Sequence, residues 1–304
     1  MPVNWNNPYA LAYPSTSRWY KGNLHAHCSP ASPCASISAE DLISAYSKQQ
    51  YDFISVSDHL HYTSAESTEL TLLPGLEWNS RIGFMPDSSV SYQHHLGIYS
   101  LEAETLKKAV RFRTTEELFA AASTNPPFYI INHPNWLEPA HYDPATLHSI
   151  AGKAGGIEIY NALVEEEEGS AYATQEWDRL LSAGHRILGF ASDDAHCATD
   201  TGRAWIMVYA QEPTPEALFH AITSGCFYCS TGVVLNNIGK EKDTVFIELP
   251  EKAQISVIGK NSKQLACTVD STLQFDCSAC TSPYVRLYVQ GNLGQQAWSQ
   301  PFFL

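Results

Sequence analysis

The chain has 304 residues, and its 18 Lys and Arg against 32 Asp and Glu give a formal net charge of −14 at pH 7. A hydrophobic content of 44% with only 16% charged residues excludes an intrinsically disordered chain. The acidic balance makes nucleic-acid binding unlikely, because that binding depends on clustered Lys and Arg. No segment approaches the roughly 20 consecutive apolar residues of a membrane span, and the N-terminal residues lack the features of a signal peptide. We therefore expect a soluble, cytoplasmic protein that does not act at membranes.

Short apolar segments alternate with segments of helical character over most of the chain. Nearly all of these apolar segments end in His, Asp or Glu. The alternation is typical of βα units arranged around a parallel sheet. The predicted strands cover residues 19–27, 53–59, 72–77, 94–99, 128–133, 156–161 and 187–194.

Capping signals predict four helices between these strands. The helices run from Ser38 towards Gln49, from Thr115 through Ala122, over residues 172–183 before Gly184, and from Thr214 to Thr223. After Gly232 the pattern changes to short alternating segments at 244–249, 253–258 and 284–289, which predict antiparallel strands. We therefore predict an α/β domain at residues 1–232 and a small antiparallel β domain at residues 233–304.

Polar residues at the carboxyl ends of the predicted strands are the candidates for chemistry, because active sites of βα barrels lie there. His25 and His27 are spaced i, i+2, which places both imidazoles on one side of an extended segment, within reach of one ion. Further candidates follow the later strands: Asp58, His59, Glu77, His94 or His95, His133, Asp194 and His196. Imidazole and carboxylate ligands suit zinc, manganese or iron, and a carboxylate such as Glu77 can bridge two ions.

The order of these motifs resembles that of the polymerase and histidinol phosphatase (PHP) superfamily over residues 18–232. The motifs are His-x-His at 25–27, Asp-His at 58–59, Glu77, His-x-Leu-Gly at 94–97, Asn-His-Pro at 132–134 and Asp-x-His at 194–196. Residues 227–232 and 297–301 also resemble the β-domain junction and tail of the carbaryl-hydrolase-like branch. The resemblance implies a distorted (β/α)7 TIM-like barrel that holds two or three divalent ions.

The resemblance also implies a set of metal ligands. His25 and His27 would bind one ion together with Asp194, and Glu77 would bridge it to a second ion held by His133 and His94. The His-x-Leu-Gly spacing selects His94, whereas a shifted strand register would select His95.

His59 and His196 would belong to the region of a third ion or contact the substrate. Family members carry an Asp or His soon after His-x-His, but residues 28–34 of this chain contain neither. We therefore expect one tightly bound ion or a pair of ions, with a pair of zinc, manganese or iron ions favoured, unless Cys28 or Cys34 supplies a thiolate to the third position.

A site of this kind predicts a metal-dependent hydrolase that acts on a small-molecule ester through a metal-bound hydroxide, with a phosphoester favoured. A carboxyl or carbamate ester hydrolase and a non-catalytic, metal-stabilised binding module remain alternatives. A polymerase-associated exonuclease is the least favoured function, because the net negative charge of the chain opposes DNA binding. The sequence leaves the oligomeric state open.

Other side chains have predicted roles around the ions. The catalytic candidates are His59 and His196, because an imidazole ordinarily titrates near neutral pH, and Asp193, beside the Asp-x-His motif. Arg203 and Arg81 are candidate clamps for a phosphate, and Asn161 is a candidate substrate contact. Glu158 is as compatible with a structural role as with a substrate contact. Histidines without chelating neighbours in the sequence are expected at the surface or satisfied in the core: His141, His148, His185 and His220.

Overall fold

The computed structural model describes residues 3–10, 17–80, 94–121, 126–137 and 141–304. The strands are β1 (Arg18–Asn23), β2 (Phe53–Ile54), β3 (Thr71–Leu72), β4 (Gly75–Asn79), β5 (His95–Tyr99), β6 (Phe128–Ile131), β7 (Gly156–Asn161), β8 (Leu188–Ser192), β9 (Trp205–Ala210), β10 (Phe227–Ser230), β11 (Asn237–Glu241), β12 (Thr244–Gly259), β13 (Lys263–Asp276), β14 (Tyr284–Gln290), β15 (Gln296–Trp298) and β16 (Phe302–Phe303). The α-helices are α1 (Ala39–Lys48), α2 (Ala103–Ala109), α3 (Thr115–Ala120), α4 (Pro144–Ala151), α5 (Thr174–Ser182) and α6 (Pro215–Thr223). The mixed α/β class expected from the sequence is confirmed.

A five-stranded sheet has the order β4-β5-β6-β7-β8. In this sheet β5 runs antiparallel to both of its neighbours, whereas β6, β7 and β8 are parallel. Two isolated parallel bridges join its edges to the segments after β1 and β2: Ala26 pairs with Ala195, and His59 pairs with Glu77. The segment that follows β2 therefore lies next to β4, and the segment that follows β1 lies next to the one that follows β8.

An eleven-stranded sheet contains the remaining strands, in the order β11-β12-β14-β15-β10-β9-β1-β2-β3, with β13 paired to β12 and β16 to β14. β1 is parallel to β2 and antiparallel to β9. The strands after residue 232 are antiparallel, as expected, and they continue this sheet because β15 pairs with β10. The predicted domain boundary lies in the loop between β10 and β11.

Local capping explains the predicted helices. The Ser38 hydroxyl accepts a hydrogen bond from the backbone N–H of Asp41 (3.1 Å) at the start of α1. Thr214 caps α6, whose first residue is Pro215. Gly184 follows the end of α5 with a φ of 95°, a conformation that glycine adopts without strain. Helices α2 and α4 were not predicted from the sequence, and Ala122 lies outside the described residues.

All residues of β4, β5, β7 and β8 are buried, which explains their nearly continuous apolar sequences. In β4 the side chains of Leu76 and Trp78 pack in the hydrophobic core. Because side chains alternate along a strand, Glu77 faces the opposite side. Side chains on one face of β4 therefore pack in the hydrophobic core, whereas Glu77 points from the opposite face.

Within the described part of the chain, none of the helices combines the length and the apolar character required to traverse a membrane.

Candidate metal centre

The strand ends bring together a buried cluster of imidazoles around two carboxylates. His25 and His27 follow β1, His59 follows β2, Glu77 lies in β4, His95 begins β5, His133 follows β6, and Asp194 and His196 follow β8. Glu77 and Asp194 are at the centre, since each lies close to several imidazoles.

One part of the cluster combines two imidazoles with both carboxylates. His25 Nε2 lies 3.1 Å from Asp194 Oδ1 and 3.2 Å from Glu77 Oε1. His27 Nε2 lies 3.1 Å from the same Asp194 oxygen and 3.6 Å from Glu77 Oε2. These four side chains are the ones expected to hold the first ion.

A second part of the cluster also contacts Glu77. Glu77 Oε1 is 3.2 Å from His95 Nδ1 and 3.1 Å from His133 Nε2. His133 Nε2 is also 3.9 Å from Asp194 Oδ2. Glu77 thus lies close to both groups of imidazoles, as expected of a bridging carboxylate.

The hydrogen bonding within the cluster tests whether these residues fit metal ions. Several buried atoms that face one another have no hydrogen-bond partner: His25 Nε2, His27 Nε2, His95 Nδ1, Glu77 Oε2 and Asp194 Oδ1. Buried polar atoms without a partner are rare because they cost free energy. Ligand atoms in sets such as His25, His27 and Glu77, or His25, His133 and Asp194, lie within 4.8 Å of one another. Divalent cations would satisfy these atoms together, so the residues fit the ions that the sequence predicts.

Glu158 and Asn161 support the cluster through hydrogen bonds. His25 Nδ1 donates to Glu158 Oε1 (2.8 Å), which leaves Nε2 to face the carboxylates. The backbone N–H of His133 donates to Glu158 Oε2 (2.6 Å). Asn161 Nδ2 donates to Glu158 Oε2 (3.0 Å) and to Asp194 Oδ2 (3.1 Å). Outer contacts of this kind fix the orientation of metal-binding side chains. Asn161 therefore positions Asp194, in place of the substrate contact predicted for it.

A similar chain of contacts fixes His27. The Ser32 hydroxyl lies 3.1 Å from His27 Nδ1 and donates to Asp58 Oδ1 (2.7 Å). The Cys28 thiol donates to Asp58 Oδ2 (3.1 Å), and burial together with this carboxylate raises the pKa of Cys28 to about 12. Cys28 is therefore a neutral thiol that supports Asp58, which makes it a poor source of a thiolate ligand.

The backbone at two cluster residues is held in an uncommon conformation. His133 and Asp194 have φ values of 25° and 54°. Positive φ in a residue other than glycine persists only where surrounding contacts impose it, and such strain is concentrated at functional sites. At His133 the contact is the hydrogen bond from its N–H to Glu158.

Three side chains border the cluster on its open side: His59, His196 and Cys34. His59 Nδ1 lies 2.8 Å from Glu77 Oε2, and His196 Nδ1 donates to the backbone carbonyl of Asp194 (2.8 Å). Burial lowers the pKa of both imidazoles, but Glu77 and Cys34 raise that of His59 to about 11. Cys34 and Asp194 raise that of His196 to about 9. Burial raises the pKa of Cys34, but His196 and His59 bring it down to about 6.

The two central carboxylates are ionised. Burial alone would raise the pKa of Glu77, but His95, His25 and His59 hold it well below its ordinary value. Burial also opposes ionisation of Asp194, and the nearby imidazoles of His25 and His27 outweigh it. Both groups therefore carry the negative charge that a divalent cation requires.

The position of β5 corrects the choice between His94 and His95. Gly97 pairs with Glu77 and His95 pairs with Asn79, so His95 and Glu77 point to the same side. His94 instead stacks on Tyr142, with ring centroids 4.7 Å apart. The structure therefore replaces His94 by His95 as the candidate ligand.

The catalytic role predicted for Asp193 does not fit the structure. Its carboxylate accepts backbone N–H groups from Gly202 (2.9 Å), Arg203 (2.7 Å) and Ala204 (2.7 Å), and burial raises its pKa to about 6. Asp193 therefore anchors the backbone of residues 202–204.

The Arg203 guanidinium, predicted as a phosphate clamp, pairs with Glu165 (3.5 Å) and Glu166 (2.8 Å).

The other predicted clamp, Arg81, lies outside the described residues.

No protein-family model and no curated protein matches the sequence. A solved structure from Bacteroides vulgatus, of a two-domain protein containing a predicted PHP-like metal-dependent phosphoesterase, is similar over 91% of this chain and 92% of that one, with a TM-score of 0.50 and 12% identity. PsfC from Pseudomonas syringae is similar over 68% and 88% of the two chains (TM-score 0.46, 12% identity). The lesion-specific endonuclease PfuEndoQ from Pyrococcus furiosus is similar over 69% and 56% (TM-score 0.49, 14% identity).

The chain shares the fold of the PHP-like protein. At 12% identity the similarity concerns the fold alone, and the chemistry has to be argued from the side chains.

A cavity of about 270 Å³ opens onto the cluster. Its walls are Cys34, His59, Glu77, His95, His133, Trp136, Leu163, Val164, Glu167, Asp194 and His196. The described wall residues thus combine the candidate ligands with apolar side chains and one further carboxylate, and they include neither Lys nor Arg.

Two residues of the site were not assigned to it from the sequence. Glu158 was left open between two roles, although a single Glu within an apolar strand is a usable signal. His141 was expected at the surface or satisfied in the core, but it is buried and its ring lies 4.9 Å from that of His95 and 5.3 Å from that of His133. Burial, His133 and His95 lower its pKa, so the ring is neutral. His141 follows no strand, so no sequence signal placed it here.

Proposed function

We propose that the chain is a metal-dependent hydrolase that cleaves a phosphoester of a small molecule. The observation that carries this proposal is the set of buried imidazole and carboxylate atoms that face one another without hydrogen-bond partners. The proposal includes membership of the carbaryl-hydrolase-like branch and a distorted (β/α)7 barrel. The bridges Ala26–Ala195 and His59–Glu77 support such a barrel, since they would close β1, β2 and β4 to β8 into a ring.

The residues present would hold two ions. His25, His27 and Asp194 would hold one, His95 and His133 the other, and Glu77 both. Imidazole with carboxylate suits zinc, manganese or iron. Bound divalent ions lower the pKa of water and neutralise charge that develops on a phosphoryl oxygen.

The side chains around the cavity would orient the reactants and move protons. His196 donates through Nδ1 to the carbonyl of Asp194, which leaves Nε2 as the atom that can take up or release a proton. His59 borders the same cavity. A positioned imidazole of this kind can protonate a leaving group. Trp136, Leu163 and Val164 would bind the apolar part of the substrate and exclude water from it.

Hydrolysis of a neutral carboxyl or carbamate ester is a second candidate, favoured by the charge around the cavity. Glu167 lies in the wall, and the Arg203 guanidinium is paired with Glu165 and Glu166. Negative charge at the entrance disfavours a doubly charged phosphomonoester and tolerates a neutral ester or a singly charged phosphodiester. Within the phosphoesterase proposal, this favours a diester.

The test compares four substrates on protein purified without chelators: bis(p-nitrophenyl) phosphate, p-nitrophenyl phosphate, p-nitrophenyl acetate and an aryl N-methylcarbamate. We expect turnover of a phosphate ester, highest for the diester, which a chelator abolishes and added zinc or manganese restores. Metal-dependent turnover of only the acetate or carbamate would select the second candidate. Absence of metal-dependent turnover with all four would favour a metal-stabilised binding module.

A further inference from the structure

His141 is buried beside the metal centre without any polar partner. His141 is 3% exposed, and neither its Nδ1 nor its Nε2 has a hydrogen-bond partner. Among the described residues, His141 alone has two buried side-chain nitrogens that both lack a hydrogen-bond partner. A polar group buried without a partner destabilises the fold, so the position requires an explanation.

Two candidate metal ligands lie beside His141. One ring nitrogen each from His95, His133 and His141 lies within 4.8 Å of the others. The remaining rings around His141 are those of Trp136 (5.3 Å between centroids) and Tyr142 (4.9 Å). Three imidazoles thus converge next to the rings of Trp136 and Tyr142.

A direct contact between His141 and a substrate does not explain this arrangement. His95, His133 and Trp136 line the cavity, whereas His141 does not. A molecule in the cavity therefore meets the other two imidazoles first, and an ion held by them lies within reach of the third.

We propose that His141 is a third imidazole ligand of the ion that His95 and His133 hold, with Glu77 as the carboxylate shared with the neighbouring ion. This inference deepens the proposed function and rests on it for the presence of divalent ions. Three imidazoles favour zinc over manganese or magnesium, which bind preferentially to oxygen ligands.

The test measures zinc binding to the full chain after removal of metal with a chelator. His141→Ala is compared with His94→Ala, a neighbouring histidine that stacks on the same Tyr142 but points away from the cluster. We expect His141→Ala to weaken the binding of one of two zinc ions at least about 10-fold and His94→Ala to bind both as the wild type does. Cobalt substitution provides a second readout, since loss of one imidazole changes the visible absorption of the bound ion.

A second variant, His141→Phe, separates ligation from packing because it keeps an aromatic ring at this position and removes both nitrogens. We expect its metal-free melting temperature to match or exceed that of the wild type, with a smaller rise on addition of zinc. Wild-type zinc affinity in both variants would overturn the proposal. So would a loss of metal-free stability accompanied by an unchanged response to zinc, since that assigns His141 a packing role.

Because no substrate is present, these measurements are independent of hydrolysis. Zinc bound through His141 in a chain that cleaves no ester would refute the proposed function and leave this inference intact. Metal-dependent turnover with unchanged zinc binding in the His141 variants would refute this inference alone.

Discussion

The inner and outer sides of the cluster differ in how firmly their side chains are held. The inner group consists of His25, His27, Glu77 and Asp194, whose side chains are at most 6% exposed. Each of them has a supporting contact from a residue outside the group: Glu158, Ser32, Asn132 and Asn161. The inner group is therefore preorganised to hold ions.

The outer group consists of His59, His196 and Cys34. The imidazoles are more accessible, with side chains 25% and 19% exposed, and their charges depend on one another and on Cys34. In the proposed function, the rigid, buried groups would bind the ions, whereas the accessible groups would exchange protons with the cavity. Three predictions test this division.

The largest effect is expected for His25→Ala, which removes an inner imidazole. We expect the loss of about one equivalent of metal and a fall in kcat/KM of at least about 100-fold, because changes even to the outer contacts of metal sites cost 10–100-fold. Metal content by inductively coupled plasma mass spectrometry and steady-state kinetics measure the two effects. His148→Ala, at an exposed histidine pair, is the control. Full metal content in His25→Ala would mean that this imidazole is not a ligand.

An intermediate effect is expected for Glu158→Gln, which removes the carboxylate that orients His25. The substitution keeps the shape of the side chain but weakens the hold on His25 Nδ1. We expect about 10–100-fold weaker metal affinity with an unchanged circular dichroism spectrum. Glu166→Gln, at an exposed carboxylate, is the matched control. Equal affinities in the two variants would show that Glu158 does not position the ligand.

The smallest effect concerns pH and the outer group in metal-free protein. The folded-state pKa of His59 is about 11 against an ordinary value of 6.5, so its stabilising effect is complete below pH 6.5 and is lost as the pH rises through 11. His196 acts in the same direction up to about pH 9, but Cys34, lowered to about 6, acts in the opposite direction between pH 6 and 9. The net loss should therefore develop above pH 9.

We expect the melting temperature of the metal-free wild type to fall a few degrees more than that of His59→Asn between pH 9 and 10.5. Differential scanning fluorimetry of the two proteins measures this difference, and bound zinc should reduce it because the ion holds imidazoles deprotonated. Identical pH dependence in the two metal-free proteins would show that His59 is not held in its charged form.

The local sequence determined several of the elements and most of the candidate ligands. Predicted helix starts at Ser38 and Thr214 agree with α1 and α6, because a capping hydroxyl acts on the next few residues of the chain. The apolar segments that end in polar groups predicted strands near the ends of which His25 and Asp194 lie, and one within which Glu77 lies. These features depend on residues close in sequence, which is why they can be read without a structure.

Tertiary structure decided which of these side chains meet. The pairing of Gly97 with Glu77 selects His95 over His94, since a shift of one residue reverses the direction of every side chain in a strand. His141 reaches His95 only through the packing of a segment that follows no strand. Asp193 and Asp194 are adjacent in sequence, yet backbone N–H groups around Arg203 bind the first, and imidazoles surround the second. Such choices depend on long-range packing and register, which no local pattern of residues specifies.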